Sequence, residues 1–420
     1  MSVFHGPSVA EFHAQLDEPS YRPADRLIVK DHDEIVAHVR VSEQSVQLDS
    51  MVLPAARFMD LATAPEYRGR GLATALVTTA ERAAAEQGAL IGLTRTRAPK
   101  LFARLGWSVC GRHYYSAAAP RAVLAELGTT ASCEPEQPEP PALDLGQDRR
   151  QSLAARPLRR IELPALVRLY DQNLVGKFGW PARSEAYWEW LLARGACDRV
   201  YIAATMPEPS DLRGLLNSIV GYMFVRQCRI VEVVTAAGRE DAASCLLARA
   251  CADASEEGEW LMRCDTPPGH ALHPLFQRAR GRIVSSQHHD GELFMAKLLD
   301  PLNALRLMVG LLWRRAVAAD LQRPAELGID VLSGDSRGIV ERYRLHIGRR
   351  MARITTGGPS RHRISVRTSD LASLILGDIG ADKMTGSGRL KASSVAARRM
   401  AAALFPTGPW WRPPLDDLPV

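Results

Sequence analysis

The sequence predicts an α/β (α+β) protein in which mixed sheets are flanked by helices and more than one domain is present. Three observations carry this. At 420 residues the chain is too long for one core. Strand-like and helical runs alternate through its first 128 residues. One order of strand, loop, helix, strand and short helix then occurs a second time.

The elements follow in order. "DRLIVKD" and "EIVAHVRVS" read as strands paired across the turn "DHDE". "RFMDLATA", residues 57–64, is a third strand, mostly apolar and therefore central. From Leu72 to Gln87 the chain reads as a helix, with Leu72, Leu76, Ala80 and Ala83 as its stripe and Gly88 as its C-terminal cap. "ALIGLTR" is a strand, "APKLFARLG" a short helix and "WSVCGRHYY" a further strand. Residues 129–153, rich in Pro, Glu and Gln, bury too little to pack and form a linker. Residues 230–281 repeat the order of 58–107, with Glu232 leading the strand where Asp60 leads the first. Near Asp300-Pro301 an amphipathic helix begins, with Leu302, Leu305, Met308, Val309 and Leu312 at helical spacing. The expected domains are 1–128, 154–300 and 301–420.

Composition excludes several classes. No apolar run reaches the ~20 residues of a membrane span, and no signal peptide is expected from the N-terminal residues. Seven scattered cysteines, an odd number without a CxxC pair, point to a reducing, cytoplasmic setting. No metal site is expected; His288-His289-Asp290 is the nearest approach to a ligand cluster. The net charge of +6 is concentrated from Pro301 onward, with 19 Lys and Arg against 10 Asp and Glu. No nucleic-acid motif accompanies it, so a solvated basic face is expected and no nucleic-acid partner.

The stretch "PEYRGRGLATAL", residues 65–76, carries the chemistry. A strand that ends at a glycine turn and feeds a helix offers free backbone N–H groups and the positive end of a helix dipole. Arg68 and Arg70 add cationic donors. This suits a pyrophosphate. It is neither a Walker loop nor a dinucleotide fingerprint, because no GK[ST] and no G-x-G-x-x-G is present.

The spacing Arg68-x-x-Gly71-x-Ala73, between an apolar strand and a helix, resembles the acyl-CoA loop of the GNAT acetyltransferase superfamily. The resemblance implies that Leu61, Ala62 and Thr63 bind the pantetheine arm as an added strand. It implies that the amides of Gly69, Arg70, Gly71, Leu72, Ala73 and Thr74 take the pyrophosphate of acetyl-CoA, with Arg68 and Arg97 in the same cofactor-binding set. The whole layout is similar to the enhanced intracellular survival (Eis) family: a GNAT domain, a second degenerate GNAT domain and a C-terminal domain like sterol carrier protein. "ERYRLHIGRRMARITTG" and "HRISVRTSD" alternate as strands there, and "DLASLILGDI" and "SSVAARRMAAALFP" read as helices. That family moves acetyl from acetyl-CoA to amines, including aminoglycosides and protein lysines, and forms homo-oligomers.

The chemistry needs an amine to lose a proton, donors for the oxyanion of a tetrahedral intermediate, and a proton for the leaving thiolate. In the family a tyrosine in the short helix is the acid and the terminal carboxylate the base. Here the family's tyrosine position is Phe102, which has no hydroxyl. The α-carboxylate of Val420 is the candidate base, although the tail "LDDLPV" runs on past Leu418. For the acid, three arrangements stay open: the hydroxyl of Tyr114 or Tyr115, water, or a domain that binds acyl-CoA with impaired turnover. His113 reads as a strand residue and Trp107 as core.

Overall fold

The computed structural model describes residues 9–132, 152–206, 210–289, 291–334, 338–408 and 410–418. In chain order its elements are α1 (Val9–Leu16), β1 (Arg26–Asp31), β2 (Glu34–Asp49), β3 (Met51–Thr63), α2 (Leu72–Glu86), β4 (Ile91–Thr96), α3 (Pro99–Arg104) and β5 (Ser108–Val109). Next come β6 (His113–Ala118), α4 (Pro120–Ser132), β7 (Leu153–Pro157), α5 (Leu163–Leu174), β8 (Lys177–Ala182), α6 (Glu185–Ala193), β9 (Arg199–Thr205), α7 (Leu212–Ser218) and β10 (Ile219–Arg226). The repeat holds β11 (Arg229–Thr235), α8 (Glu240–Glu256), β12 (Met262–Cys264), α9 (Leu272–Arg278), β13 (Arg282–Ser286), β14 (His288–His289) and β15 (Glu292–Leu298). The remainder is α10 (Pro301–Leu307), α11 (Val309–Ala318), β16 (Ala325–Leu332), β17 (Ile339–Ile347), β18 (Ala352–Thr356), β19 (Arg363–Arg367), α12 (Thr368–Ile375), α13 (Ala381–Gly386), β20 (Leu390–Ala392) and α14 (Val395–Leu404). Most of the expected linker, residues 133–151, lies outside the described residues, as do Asp290 and Val420.

Two compact units are each assembled from separate stretches. Unit 1 takes Met1–Arg112, Val175–Ser184 and Gln287–Arg412; unit 2 takes His113–Leu174, Glu185–Ser286 and Pro413–Val420. Unit 1 holds an eight-stranded sheet of order β1-β2-β3-β4-β15-β14, with β5 on β15 and β8 on β2, and a five-stranded sheet of order β18-β17-β16-β19-β20. Unit 2 holds a seven-stranded sheet of order β13-β6-β12-β11-β10-β9-β7. Each sheet is mixed, with one parallel pair: β3 with β4, β11 with β12, and β16 with β19.

In unit 1 the β1–β2 hairpin closes with Asp31 opposite Glu34, as the turn residues predict. Helix α2 is alanine-rich and therefore helix-prone. It ends at Gly88, whose φ of +93° and whose amide bond to the Ala85 carbonyl (2.9 Å) close the last turn. Its buried stripe is Leu76, Val77, Ala80 and Ala84, not the expected Leu72 and Ala83. The helix lies rotated from the expected face because Val77 is the bulkier residue to bury, and at 100° per residue it shares a face with Ala80 and Ala84. The expected strand over 107–115 is in fact two, β5 and β6. Gly111 separates them at φ +74°, its amide donating to Asp378 Oδ1 (2.6 Å), and a Cβ there would meet the Trp410 ring at 2.5 Å. The expected helix at Pro301 is divided into α10 and α11 at Met308, which is fully buried; Asp300 caps the first by accepting from the Asn303 amide (3.0 Å).

Among the described residues no helix is long and apolar enough to cross a membrane. Cys110, Cys197, Cys228, Cys245, Cys251 and Cys264 are free thiols. Three histidines, His38, His113 and His273, have pKa values lowered, in each case first by burial. A histidine so placed binds its proton less readily folded than unfolded. Stability is therefore full above the unfolded value of about 6.5 and falls as pH drops below it. Urea midpoints measured from pH 8 to pH 5 are expected to hold level down to about pH 7 and then decline; a midpoint that rises on acidification would contradict these placements.

Candidate active site

The site begins in a defect of β3. Asp60 and Leu61 stand opposite the single residue Val39, because Met59 pairs with Arg40 and Ala62 with His38. This is a β-bulge. Asp60 takes φ +54°, which aspartate tolerates better than most residues. Arg40, itself buried, holds it there: Nε donates to Asp60 Oδ2 (3.2 Å) and Nη1 to Glu18 Oε2 (3.0 Å). On its other edge, β3 pairs with β4 only from Ala55 to Phe58, ending at Phe58 opposite Thr94. Thr94 Oγ1 donates to the Phe58 carbonyl (2.9 Å) and closes that ladder. Beyond it, Arg95 and Thr96 of β4 keep only the pairing on their other edge, with Phe294 and Leu293 of β15. The edge of β3 at Leu61, Ala62 and Thr63 is thus left without β4, while β2 holds its far side. An extended amide-bearing chain could add there as a strand.

The loop that follows leads into α2. Tyr67 anchors it by donating to Asp31 Oδ2 (2.7 Å). Arg68 Nε donates to the Thr63 carbonyl (3.2 Å), and the Arg70 guanidinium lies 4.7 Å from the Tyr67 ring centroid. Gly69 and Gly71 take φ of +79° and +82°, so glycine is required for the backbone path. A Cβ at either would meet nothing within 4 Å. The space beside them is open. Gly71 is the N-cap and supplies no side-chain cap. The first helical bond runs from the Ala75 amide to the Gly71 carbonyl (3.0 Å), so the amides of Leu72, Ala73 and Thr74 have no helical acceptor. Orphan amides, a helix N-terminus and two exposed arginines stand together, groups that suit an anion. The residues present fit the CoA group that the motif implies.

The other candidates fall elsewhere. Arg97, just past the end of β4, is largely exposed and pairs with Glu292 Oε1 (3.6 Å). Tyr114 and Tyr115 are on β6 and belong to unit 2, whereas the loop belongs to unit 1. The Tyr114 ring meets His273 edge-on at 4.7 Å, and the Arg263 guanidinium lies 3.9 Å from the Tyr115 centroid. An apolar cavity of about 50 Å³ opens at the far end of α2, lined by Leu27, Val41, Ala80 and Ala84 among others, and no residue of the loop borders it.

Phe102 is buried, with its ring edge-on to Trp107 at 5.2 Å, and Trp107 meets Phe58 likewise at 5.0 Å. Trp107 Nε1 donates to Glu81 Oε1 (2.6 Å), and Lys297 Nζ to Glu81 Oε2 (2.6 Å). Both aromatics are therefore core. Phe102→Tyr would place a hydroxyl in the apolar cluster that also holds Leu76, Val77 and Met295. Urea unfolding of that variant is expected to show a loss of ~1–3 kcal/mol, with no gain in acetyl transfer. A tenfold gain would mean that the ring's para position reaches the thiolate after all.

In the repeat, the start of α8 carries paired charges of its own. Arg239 grips Asp241 through Nε to Oδ1 (2.9 Å) and Nη2 to Oδ2 (3.0 Å), and Glu240 shares the first turn. Hydrogen bonding from Arg239 lowers the Asp241 pKa and keeps a carboxylate in the first turn of α8. Sequence reading missed two buried networks on β6. His113 Nε2 bonds Asp265 Oδ1 (2.8 Å), and Ser116 Oγ bonds His273 Nδ1 (2.5 Å), whose Nε2 meets Thr266 Oγ1 (3.0 Å). Their partners lie about 150 residues apart in the chain, and no local spacing announces them.

Comparison with known proteins bears on the domain and the fold. The family model of the acetyltransferase (GNAT) domain matches residues 1–110. A search among curated proteins finds no match. Solved structures share the fold. A GCN5-related N-acetyltransferase from Anabaena variabilis superposes with a TM-score of 0.68 at 16% identity, over 94% of this chain and 91% of that one. One from Kribbella flavida gives 0.64 at 17%, over 92% and 86%. Eis1 from Mycobacterium abscessus gives 0.59 at 17%, over 95% and 94%. The three mixed sheets flanked by helices are consistent with the fold of these structures. The chain is an acyltransferase, and its GNAT acetyltransferase domain occupies residues 1–110.

Proposed function

We propose that this protein transfers acetyl directly from acetyl-CoA to a primary amine of an aminoglycoside-like compound, a polyamine or a lysine. The observation that supports it is the conjunction of the β3 bulge with the bare N-terminus of α2. Leu61, Ala62 and Thr63 would bind the pantetheine amides, the amides from Gly69 to Thr74 would take the pyrophosphate, and Arg68, Arg70 and Arg97 would add charge. The departing thiolate, with a pKa of about 8.5, leaves without a strong acid, so water suffices as proton donor where Phe102 has none to give. Tyr114 and Tyr115 stay as alternative donors and the Val420 carboxylate as base. The five-stranded sheet with its helices would be the sterol carrier protein-like part of the resemblance.

One feature favours a second reading, acyl-CoA binding with impaired catalysis: Phe102 replaces the family's acid and is locked in the core. Thiol release from acetyl-CoA, assayed against polyamines, aminoglycosides and lysine peptides, separates the two. Amine-dependent release supports the transferase. Binding of acetyl-CoA without release in any acceptor leaves the binding protein.

A further inference from the structure

The five-stranded sheet of unit 1 has two unlike faces. Leu327, Ile329, Val331, Leu345, Ile347 and Val366 are buried on one, against the cluster that includes Leu312, Leu371 and Leu404. Alternation along the strands turns Arg342 and Arg344 of β17, Arg353 of β18, Arg363 and Arg367 of β19, and Lys391 of β20 to the other. The β17–β18 turn, closed by the Gly348 amide on the Met351 carbonyl (2.8 Å), adds exposed Arg349 and Arg350. Against these eight cations the described residues of the strands bring two carboxylates to this face, Glu326 and Asp330. Asp330 is already shared by Arg342 (3.4 Å) and Arg363 (3.6 Å), and Glu326 by Arg344 (3.6 Å) and His346 (3.1 Å). The surplus on this face and its turn together, among the described residues, equals the +6 of the entire chain. A solvated sheet face usually balances both signs; a face with a large surplus of one sign fits a polyanion.

We propose that this face, led by the β17–β18 turn, docks the protein onto an anionic lipid surface. Two features select lipid among polyanions. Met351, at the turn between Arg350 and Arg353, is 71% exposed. An apolar side chain flanked by arginines can enter the acyl boundary while its neighbours meet headgroup phosphates. Single-stranded nucleic acid, by contrast, is held by aromatic stacking. The one Phe, Tyr or Trp in these five strands, Tyr343, is 4% exposed and belongs to the core.

The test is co-sedimentation of the full chain with vesicles of phosphatidylglycerol and phosphatidylcholine in equal parts, against vesicles of phosphatidylcholine alone. Binding to the anionic vesicles only is expected, weakening at least tenfold in high salt. Each cation near the surface accounts for about a fivefold factor, so Arg349→Gln with Arg350→Gln should weaken binding roughly 25-fold. Met351→Ser should weaken it at unchanged net charge, a loss that purely electrostatic adsorption to DNA would not show. These residues are exposed, and melting temperatures should stay unchanged. Equal binding to neutral vesicles, absence of binding at low salt, or arginine-dependent binding of a DNA duplex in preference to vesicles would each overturn the proposal. So would an arginine-dependent self-association that buries the face against a second copy.

Discussion

Gly71→Glu is expected to lower the affinity for acetyl-CoA at least 100-fold, about 3 kcal/mol or more. The cause is charge at the one point where the structure is most receptive to an anion. Gly71 is the N-cap of α2, and the open amides of Leu72, Ala73 and Thr74 follow it. A glutamate there folds onto those amides and fills the cradle with its own carboxylate. In the repeat the acids stand just inside the helix, Glu240 and Asp241 in the first turn of α8 behind the N-cap Arg239. Strain is a smaller effect. At φ +82° a side chain costs roughly 1–2 kcal/mol, and the Cβ itself meets no atom within 4 Å. Gly71→Asn separates the two effects, since asparagine accepts this backbone and carries no charge. Titration calorimetry should find the asparagine variant within about tenfold of the parent, and the glutamate variant without measurable binding. A glutamate variant that binds acetyl-CoA like the parent would mean that the pyrophosphate lies elsewhere.

The loop was legible because every feature that makes it is local. An apolar strand, two glycines, two arginines and an alanine-rich helix fall within residues 57–87, and each acts through its own backbone preference. The bulge that opens β3 was less so. Asp60 stood out only as an acid in an apolar strand, and its positive φ depends on Arg40, 20 residues away. The path after Trp107 was illegible. Gly111 turns the chain there because Asp378 and Trp410 receive it, both more than 260 residues downstream. β6 then pairs with β12 and β13, and β4 with β15, choices made by sheet partners that no periodicity encodes. The basic face was visible as composition, and the period-two placing of Arg342, Arg344 and His346 even showed its strand. That β17, β18, β19 and β20 all turn their cations the same way needed the register.

The second large effect lies in unit 2. Asp265 is fully buried just after β12. Its carboxylate accepts from His113 Nε2 (2.8 Å), from Arg263 Nε (3.0 Å) and from Arg229 Nε. Burial alone would raise its pKa; His113, Arg229 and Arg263 outweigh that and hold it far below the usual carboxylate range. Asp265→Ala would leave two guanidiniums, 15% and 23% exposed, facing each other without their anion. Removing one partner from such a buried set costs about 3–5 kcal/mol, because the remaining charges stay desolvated. Asp265→Asn keeps the volume and part of the hydrogen bonding, so its loss should be smaller. The pairing also ties β6 to β11 and β12, since His113, Arg229 and Arg263 stand on those three strands. Loss of the carboxylate should therefore speed amide hydrogen exchange along His113–Ala118, the strand that presents Tyr114 and Tyr115. As a depressed carboxylate, Asp265 contributes stability above its unfolded pKa of about 3.9 and loses it as pH falls through its folded value. The alanine variant should accordingly show its deficit at pH 7 and converge on the parent only in strong acid. An alanine variant as stable as the parent at pH 7 would mean that water, not the carboxylate, satisfies the two arginines.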